Sequence, residues 1–420
     1  MARKMKDSGI EWIGEIPEGW EIVPVRSCFD EVRTKNTDGQ EQNALQFKSG
    51  NIISKANFNA NTDDYVADTI TNYTVVLPDT VMINGLNLNY DFKSLRVALV
   101  KEKGVITSAY LAIFPDRKKI FPQYATYLFK GYETKMAFHN MGAGIRKTLG
   151  YKEFKNQPLL LPSKEEQNKI SAYLDSKCSH IDIMLSKIRS SIEEYKKLKQ
   201  AVITQAVTKG VRGEREIKES KLPWASKIPK AWNICAIRHI MFECKERTKD
   251  GHEEQLSVTQ QFGIIKSSDA SIANPSLSLD DWRIVAIGDI VFNKYKAHSG
   301  VFFVSPFSGI VTFNYSVYRC FPNCYAKYFE YQYKTHGCIS EFRTRMHGVG
   351  NSISPLYTKD LMKIKVVCPP LDEQKEIANY LDAKCAEIDR LIAKKEQLVK
   401  ELESYKKSLI YEVVTGKREV

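Results

Sequence analysis

Pro115-Asp116 followed by Glu133-Thr134-Lys135 has the loose spacing of a metal-dependent nuclease, in which two acids hold a metal and a lysine assists. With 27% charged residues in the chain, such matches arise by chance. The corresponding later stretch has Pro322-Asn323 and no Glu-x-Lys. Cys320, Cys324, His336 and Cys338 suggest zinc, but the gap between the first two is loose, and packed or surface thiols are the commoner explanation. "GAGIRKT" from Gly142 approaches a phosphate-binding loop with the wrong glycine-to-lysine spacing. There is no Asn-Pro-Pro-aromatic tetrad, no His-Glu-x-x-His and no nucleophile elbow. The sequence thus offers no catalytic residue and no metal site.

Binding chemistry is better represented. Gly142 and Gly144 precede Arg146, Lys147 and Thr148, and Gly348 and Gly350 precede Asn351 and Ser352. Flexible backbone beside Arg, Lys, Asn and Ser suits phosphate and base-edge contacts. The turn "NGLNLNY" carries Asn84, Asn87 and Asn89, and "NKYKAHS" carries Lys294, Tyr295, Lys296 and His298. Asn and Arg reach purine edges bidentately, while Lys and Tyr favour the backbone. These residues are the candidate DNA contacts, against the alternative of ordinary solvated turns.

Composition agrees. The 420 residues carry a net charge of +12, an excess that points to nucleic acid first and a membrane surface second. No apolar run is long enough to span a bilayer, and the opening segment has no apolar core of a secretory signal. Nine cysteines, odd in number and scattered, fit a reducing cytoplasm. The length implies two or three domains.

The elements that must position these turns occur twice. Ten of the seventeen residues from Glu166 to Asp182 recur from Glu373 to Asp389, including Tyr-Leu-Asp-x-Lys-Cys. "WIGEIPEGW" at Trp12 matches "WASKIPKAW" at Trp224, and "VTKG" at Val207 matches "VTGK" at Val414. The expected fold is α+β: mixed α/β bodies at 1–160 and 211–369, each followed by a long helix, at 161–210 and 370–420. Hairpins are expected at 94–114 and 299–321, and short aromatic helices at "PQYATYLFKGY" and "AKYFEYQYKTH". Ser163 and Glu166 suggest a capping box. Heptad-like spacing predicts an antiparallel coiled coil packed through Ile181, Ile188, Tyr195, Leu391, Leu402 and Tyr405, with Cys178 and Cys385 filling small spaces. Antiparallel pairing makes the arrangement pseudo-two-fold and nearly circular, with the first Trp segment beside the end of the second helix.

The paired "EEQNKISAYLD" and "DEQKEIANYLD", the Ile-Pro-x2-Trp openings, "GDIVFNK" at Gly288 and the Val-Thr endings resemble the specificity subunits of type I restriction–modification enzymes, over the whole length. The resemblance implies two target-recognition domains on double-stranded DNA, each reading half of an interrupted target, with the helices as spacer. It implies two methylation subunits docked on the helices and two motor-nuclease restriction subunits outside. S-adenosylmethionine, ATP and magnesium belong to those partners, and no cofactor to this chain. A stand-alone nuclease or methyltransferase is disfavoured by the missing motifs. A structural coiled-coil adaptor is disfavoured by the charge and the polar loops.

Overall fold

The computed structural model describes residues 3–55, 70–93, 95–144, 147–260, 262–270, 281–346 and 355–420. The chain divides into two compact units, Met1–Arg189 with Glu396–Val420, and Ser190–Lys395. The long helices run Lys164–Lys209 (the central helix) and Leu371–Val414 (the C-terminal helix). The division falls inside both, so each unit joins one body to part of each helix.

The first unit is built on four strands, β1 (Phe29–Glu31), β2 (Val81–Ile83), β3 (Val97–Leu99) and β4 (Leu111–Pro115), in the antiparallel order β1-β4-β2-β3. Side chains alternate across the sheet. Val81, Ile83, Val97 and Ile113 enter one core, and Met82, Ala98 and Ala112 enter another. Both faces are therefore apolar. The aromatic helix Pro122–Thr134 lies over the first face, burying Tyr124, Leu128, Phe129 and Tyr132.

The second unit repeats this with β5 (Met241–Cys244), β6 (Ile290–Asn293), β7 (Phe302–Val304) and β8 (Tyr315–Cys320), ordered β5-β8-β6-β7. Its aromatic helix is Ala326–Tyr333. A second helix, His336–Arg345, follows it.

The two expected hairpins do not form. After β3, residues 104–106 leave the sheet to pair with Thr74–Val76. After β7, residues 309–311 pair with Arg283–Val285. The turns carry the chain between sheets, and the glycine in each permits a close crossing. A Cβ on Gly104 would lie 2.5 Å from the Asn43 carbonyl, and one on Gly309 would lie 2.2 Å from that of Glu254.

Within each unit the helical segments are antiparallel. In the first, Lys406 holds Asp182 at 2.6 Å and Arg189 pairs with Glu403. In the second, Lys199 holds Asp389 at 2.7 Å and Lys395 lies over the Tyr195 ring. Ile181, Leu185 and Ile192 are buried, and Ile188, Tyr195 and Leu402 are half-buried. Leu391 and Tyr405 are corrected: they are exposed, at 36% and 49%. The less exposed row steps instead through Ile388, Ile392, Lys395, Val399, Leu402, Lys406 and Leu409. Leu391-Ile392 and Leu398-Val399 are adjacent apolar pairs, so either phase looks apolar in sequence. The true phase uses two lysines, whose stems pack while their ammonium groups reach water or a partner.

Candidate nucleic-acid interface

In the first unit the loop from β2 to β3 carries the asparagine-rich turn. The Asn84 side-chain oxygen accepts from the Leu86 N–H at 3.1 Å. Asn87 is exposed in the left-handed region at φ 53°, and its carbonyl accepts from Tyr90 and Asp91, each at 3.1 Å. Asn89 is half-buried, and Tyr90 is 73% exposed.

The second candidate loop packs directly on this turn. Ala143 and Thr148 exchange backbone hydrogen bonds. The Leu88 N–H donates to the Lys147 carbonyl at 3.3 Å, and the Leu149 N–H donates to that of Gly85 at 2.9 Å. A Cβ on Gly85 would sit 2.4 Å from the Leu149 oxygen, and one on Gly142 would sit 2.7 Å from Leu88. The glycines are thus required for the approach of the two loops. Lys147 and Thr148 are exposed, and Arg146 lies outside the described residues.

The second unit builds the corresponding place differently. Asn293 caps a helical turn, Lys294–Ser299, accepting from the Tyr295 and Lys296 N–H groups at 3.1 and 3.2 Å. The Leu356 N–H donates to the Lys294 carbonyl at 2.9 Å, the counterpart of Leu149 on Gly85. Arg343 donates to the His298 carbonyl at 3.3 Å. Tyr295, Lys296 and His298 are exposed, while Lys294 is half-buried beneath its ammonium's contact with the Tyr295 ring. Asn351 and Ser352 lie outside the described residues.

Arg96, which sequence reasoning missed, and Glu133, which it read only as a chance nuclease-like acid, stand behind the first pair of loops. Arg96 is 1% exposed and donates into the β2–β3 loop, while its backbone N–H donates to the Glu133 carboxylate. Burial pushes Glu133 up to about 7, opposed by that N–H and by nearby Lys130, Arg96 and Lys407. The folded chain therefore holds this proton more tightly than the unfolded chain. Its stabilising contribution is complete below about pH 4.5 and is lost as pH rises to about 7. Glu133→Gln should remove that slope from the first unit's urea stability, worth up to about 3 kcal/mol across the window. An unchanged pH slope in the variant would contradict the assignment.

The nuclease-like and zinc-like sets do not assemble. Asp116 pairs with Lys119 at 3.5 Å on a turn, Glu133 faces Arg96, and Lys135 lies over the Tyr411 ring. The Cys324 thiol donates to the Asn323 side chain at 3.7 Å, whereas Cys338 lies buried with its N–H donating to the Thr335 hydroxyl at 3.3 Å. Among the described residues no group of three His, Cys, Asp or Glu could hold a metal.

The repeated residues explain how each body is held on its helices. Trp20 Nε1–H donates to Glu166 at 2.8 Å, and Trp232 Nε1–H donates to Glu373 at 3.0 Å. Ser163 does accept from the Glu166 N–H at 3.3 Å, but the Glu166 carboxylate serves Trp20 and Arg3, so only half the expected capping box forms. Gln167 accepts from the N–H of Phe121 at 2.9 Å and Gln374 from that of Tyr325 at 2.7 Å, each at the start of an aromatic helix. Asp175 accepts from the Tyr127 hydroxyl and Asp382 from that of Tyr331. Gly210 and Gly416, both at positive φ, close the Val-Thr endings against Trp232 and Trp20.

Residues 260–402 match the family model for the type I restriction modification DNA specificity domain. The chain is 25% identical to the provisionally assigned MjaX type I restriction enzyme specificity subunit of Methanocaldococcus jannaschii, over 96% of this chain and 95% of that one. It is 22% identical to the MjaVIII specificity subunit of the same organism, over 96% and 93%. In fold it resembles a chain solved in a study of complex assembly and conformational transition of the type I system, at a TM-score of 0.68 and 14% identity, covering 96% of this chain and 99% of that one. It also resembles the HsdS subunit of Thermoanaerobacter tengcongensis, at a TM-score of 0.50 and 14% identity, covering 98% and 100%. The resemblance to type I restriction–modification specificity subunits, read first from the duplicated residues, holds along nearly all of the chain.

Proposed function

We propose that the chain is the DNA-specificity subunit of a type I restriction–modification system and performs no catalysis itself. Its two bodies read the two halves of an interrupted double-stranded target. One observation carries this reading: the loop after the equivalent strand is mounted on the same four-strand order in both units and takes a backbone bond from an equivalent leucine, Leu149 or Leu356, but is built from different residues, Asn84, Asn87 and Asn89 in one, Lys294, Tyr295 and Lys296 in the other. A common mount with divergent tips is what two unlike half-targets require. The helices set the gap between the halves and carry two methylation subunits, joined by two restriction subunits. S-adenosylmethionine, ATP and magnesium act on those partners, in the cytoplasm. Among the described residues no helix is long and apolar enough to cross a membrane.

The test uses the chain assembled with its methylation subunits and a band shift across a salt series. Changing Lys147, Lys294 and Lys296 together to Ala should lower the slope of log affinity against log salt by up to about 0.9 for each phosphate contact removed. An unchanged slope would return these loops to solvated turns.

A further inference from the structure

We propose that Arg96 is the positioning residue of the first unit's DNA-reading loop, fixing the geometry in which Asn87 and Tyr90 meet the bases; this rests on the DNA-specificity reading above. The guanidinium ties both ends of the loop to one point. Its Nη1 donates to the carbonyls of Asn84 and Leu86, both at 2.9 Å, and its Nη2 donates to that of Asp91. The Asp91 carboxylate faces the same nitrogen at 3.8 Å. The Asn84 N–H returns a bond to the Arg96 carbonyl at 2.8 Å, and the Arg96 N–H is anchored on Glu133. His139 contacts the Asp91 carbonyl at 3.2 Å and stacks on Phe92. A buried charge is costly unless its donors are used, and here both terminal nitrogens are spent on loop carbonyls, while the buried Nε has no hydrogen-bond partner among the described residues.

The sheet itself does not need this arginine. In the second unit the Asn293 N–H makes the equivalent bond to the carbonyl of Val301, an apolar residue 3% exposed. There the loop is a short helical turn capped by Asn293. In the first unit the loop is longer and turns carbonyls inward, and Arg96 gathers them. Asn87 and the Tyr90 ring are left on the outside, with Lys147 beside them. A prefixed loop gives up little freedom on binding and presents one hydrogen-bonding pattern to the base edges. A loosened loop would keep the phosphate contacts and accept more bases.

The experiment compares Arg96→Met, Arg96→Lys and, as a packing control, Ile113→Val, each as the full chain assembled with methylation subunits. Methylated sites are mapped in a host, and melting is measured in parallel. The half-target belonging to the first unit is identified by exchanging residues 1–160. Arg96→Met should relax base preference in that half alone, by at least about fivefold at one or more positions, the lower end of a single-base discrimination. Arg96→Lys should recover part of it, and Ile113→Val should lower melting without relaxing either half. An unchanged target in Arg96→Met, or equal loss of both halves in both Arg96 variants, would overturn the positioning role. Absence of any sequence-specific methylation by the unaltered complex would instead overturn the specificity reading.

Discussion

Trp232→Ala should cost the second unit about 3–5 kcal/mol. The indole is fully buried, and its N–H is one of two main tethers on Glu373, the other being Arg215 at 2.6 Å. Removing it leaves a cavity beneath Gly210 and strips a partner from a carboxylate 7% exposed. For a unit of this size the loss corresponds to a fall in melting temperature of roughly 6–20 °C. Trp20→Ala should act in the same way on the first unit, where Glu166 is the acceptor. Thermal melts of the two variants should therefore displace different transitions. Displacement of Trp232→Ala by less than about 1 kcal/mol would show that the indole–carboxylate contact does not hold the body on its helix.

Replacing residues 211–369 with the corresponding body of a relative should change one half of the target and leave the other. The contacts that seat the body are made by the repeated residues Glu373, Gln374 and Asp382 on one side and by Trp232, Tyr325 and Tyr331 on the other. A donor body that keeps the Trp232 and Tyr331 rings finds the same socket, since Tyr325 contributes only its backbone N–H. Modification of the original target should then fall by at least about a thousandfold, the usual margin between specific and non-specific sites. Methylated-site mapping reads both halves at once. A change in both would mean that the bodies do not read independently.

Where several residues say the same thing, sequence and structure agree. The two long helices have no glycine or proline inside them and carry the strongest repeat, and both form. The aromatic helices form where expected and bury their tyrosines. The turns Asn84–Asn89 and Gly142–Thr148 meet, although nothing in their spacing places them together. Strand partners were harder. A strand buried on both faces shows no alternation, so residues 94–114 read as a local hairpin while their pairing is decided by distant strands. Leu391 and Tyr405 misled because adjacent apolar residues support two phases and the correct one passes through lysines. Arg96 was invisible for a different reason: a lone arginine before a strand looks like surface charge until its carbonyl acceptors are seen.

The division of the chain also orders its synthesis. The second unit is one continuous stretch, Ser190–Lys395, whereas the first needs Glu396–Val420 to finish it. Tyr411 donates to the Trp12 carbonyl at 2.7 Å, and Val414 packs on Gly131. A ribosome adding about 5–20 residues per second leaves the earlier-made half waiting roughly 10–40 s for that closing segment. The part translated first is thus the part completed last. During the wait, the surface around Trp12, Gly131 and Asp182 is open to chaperones and to neighbouring nascent chains. Loss of residues 396–420 would injure the first unit and leave the second whole.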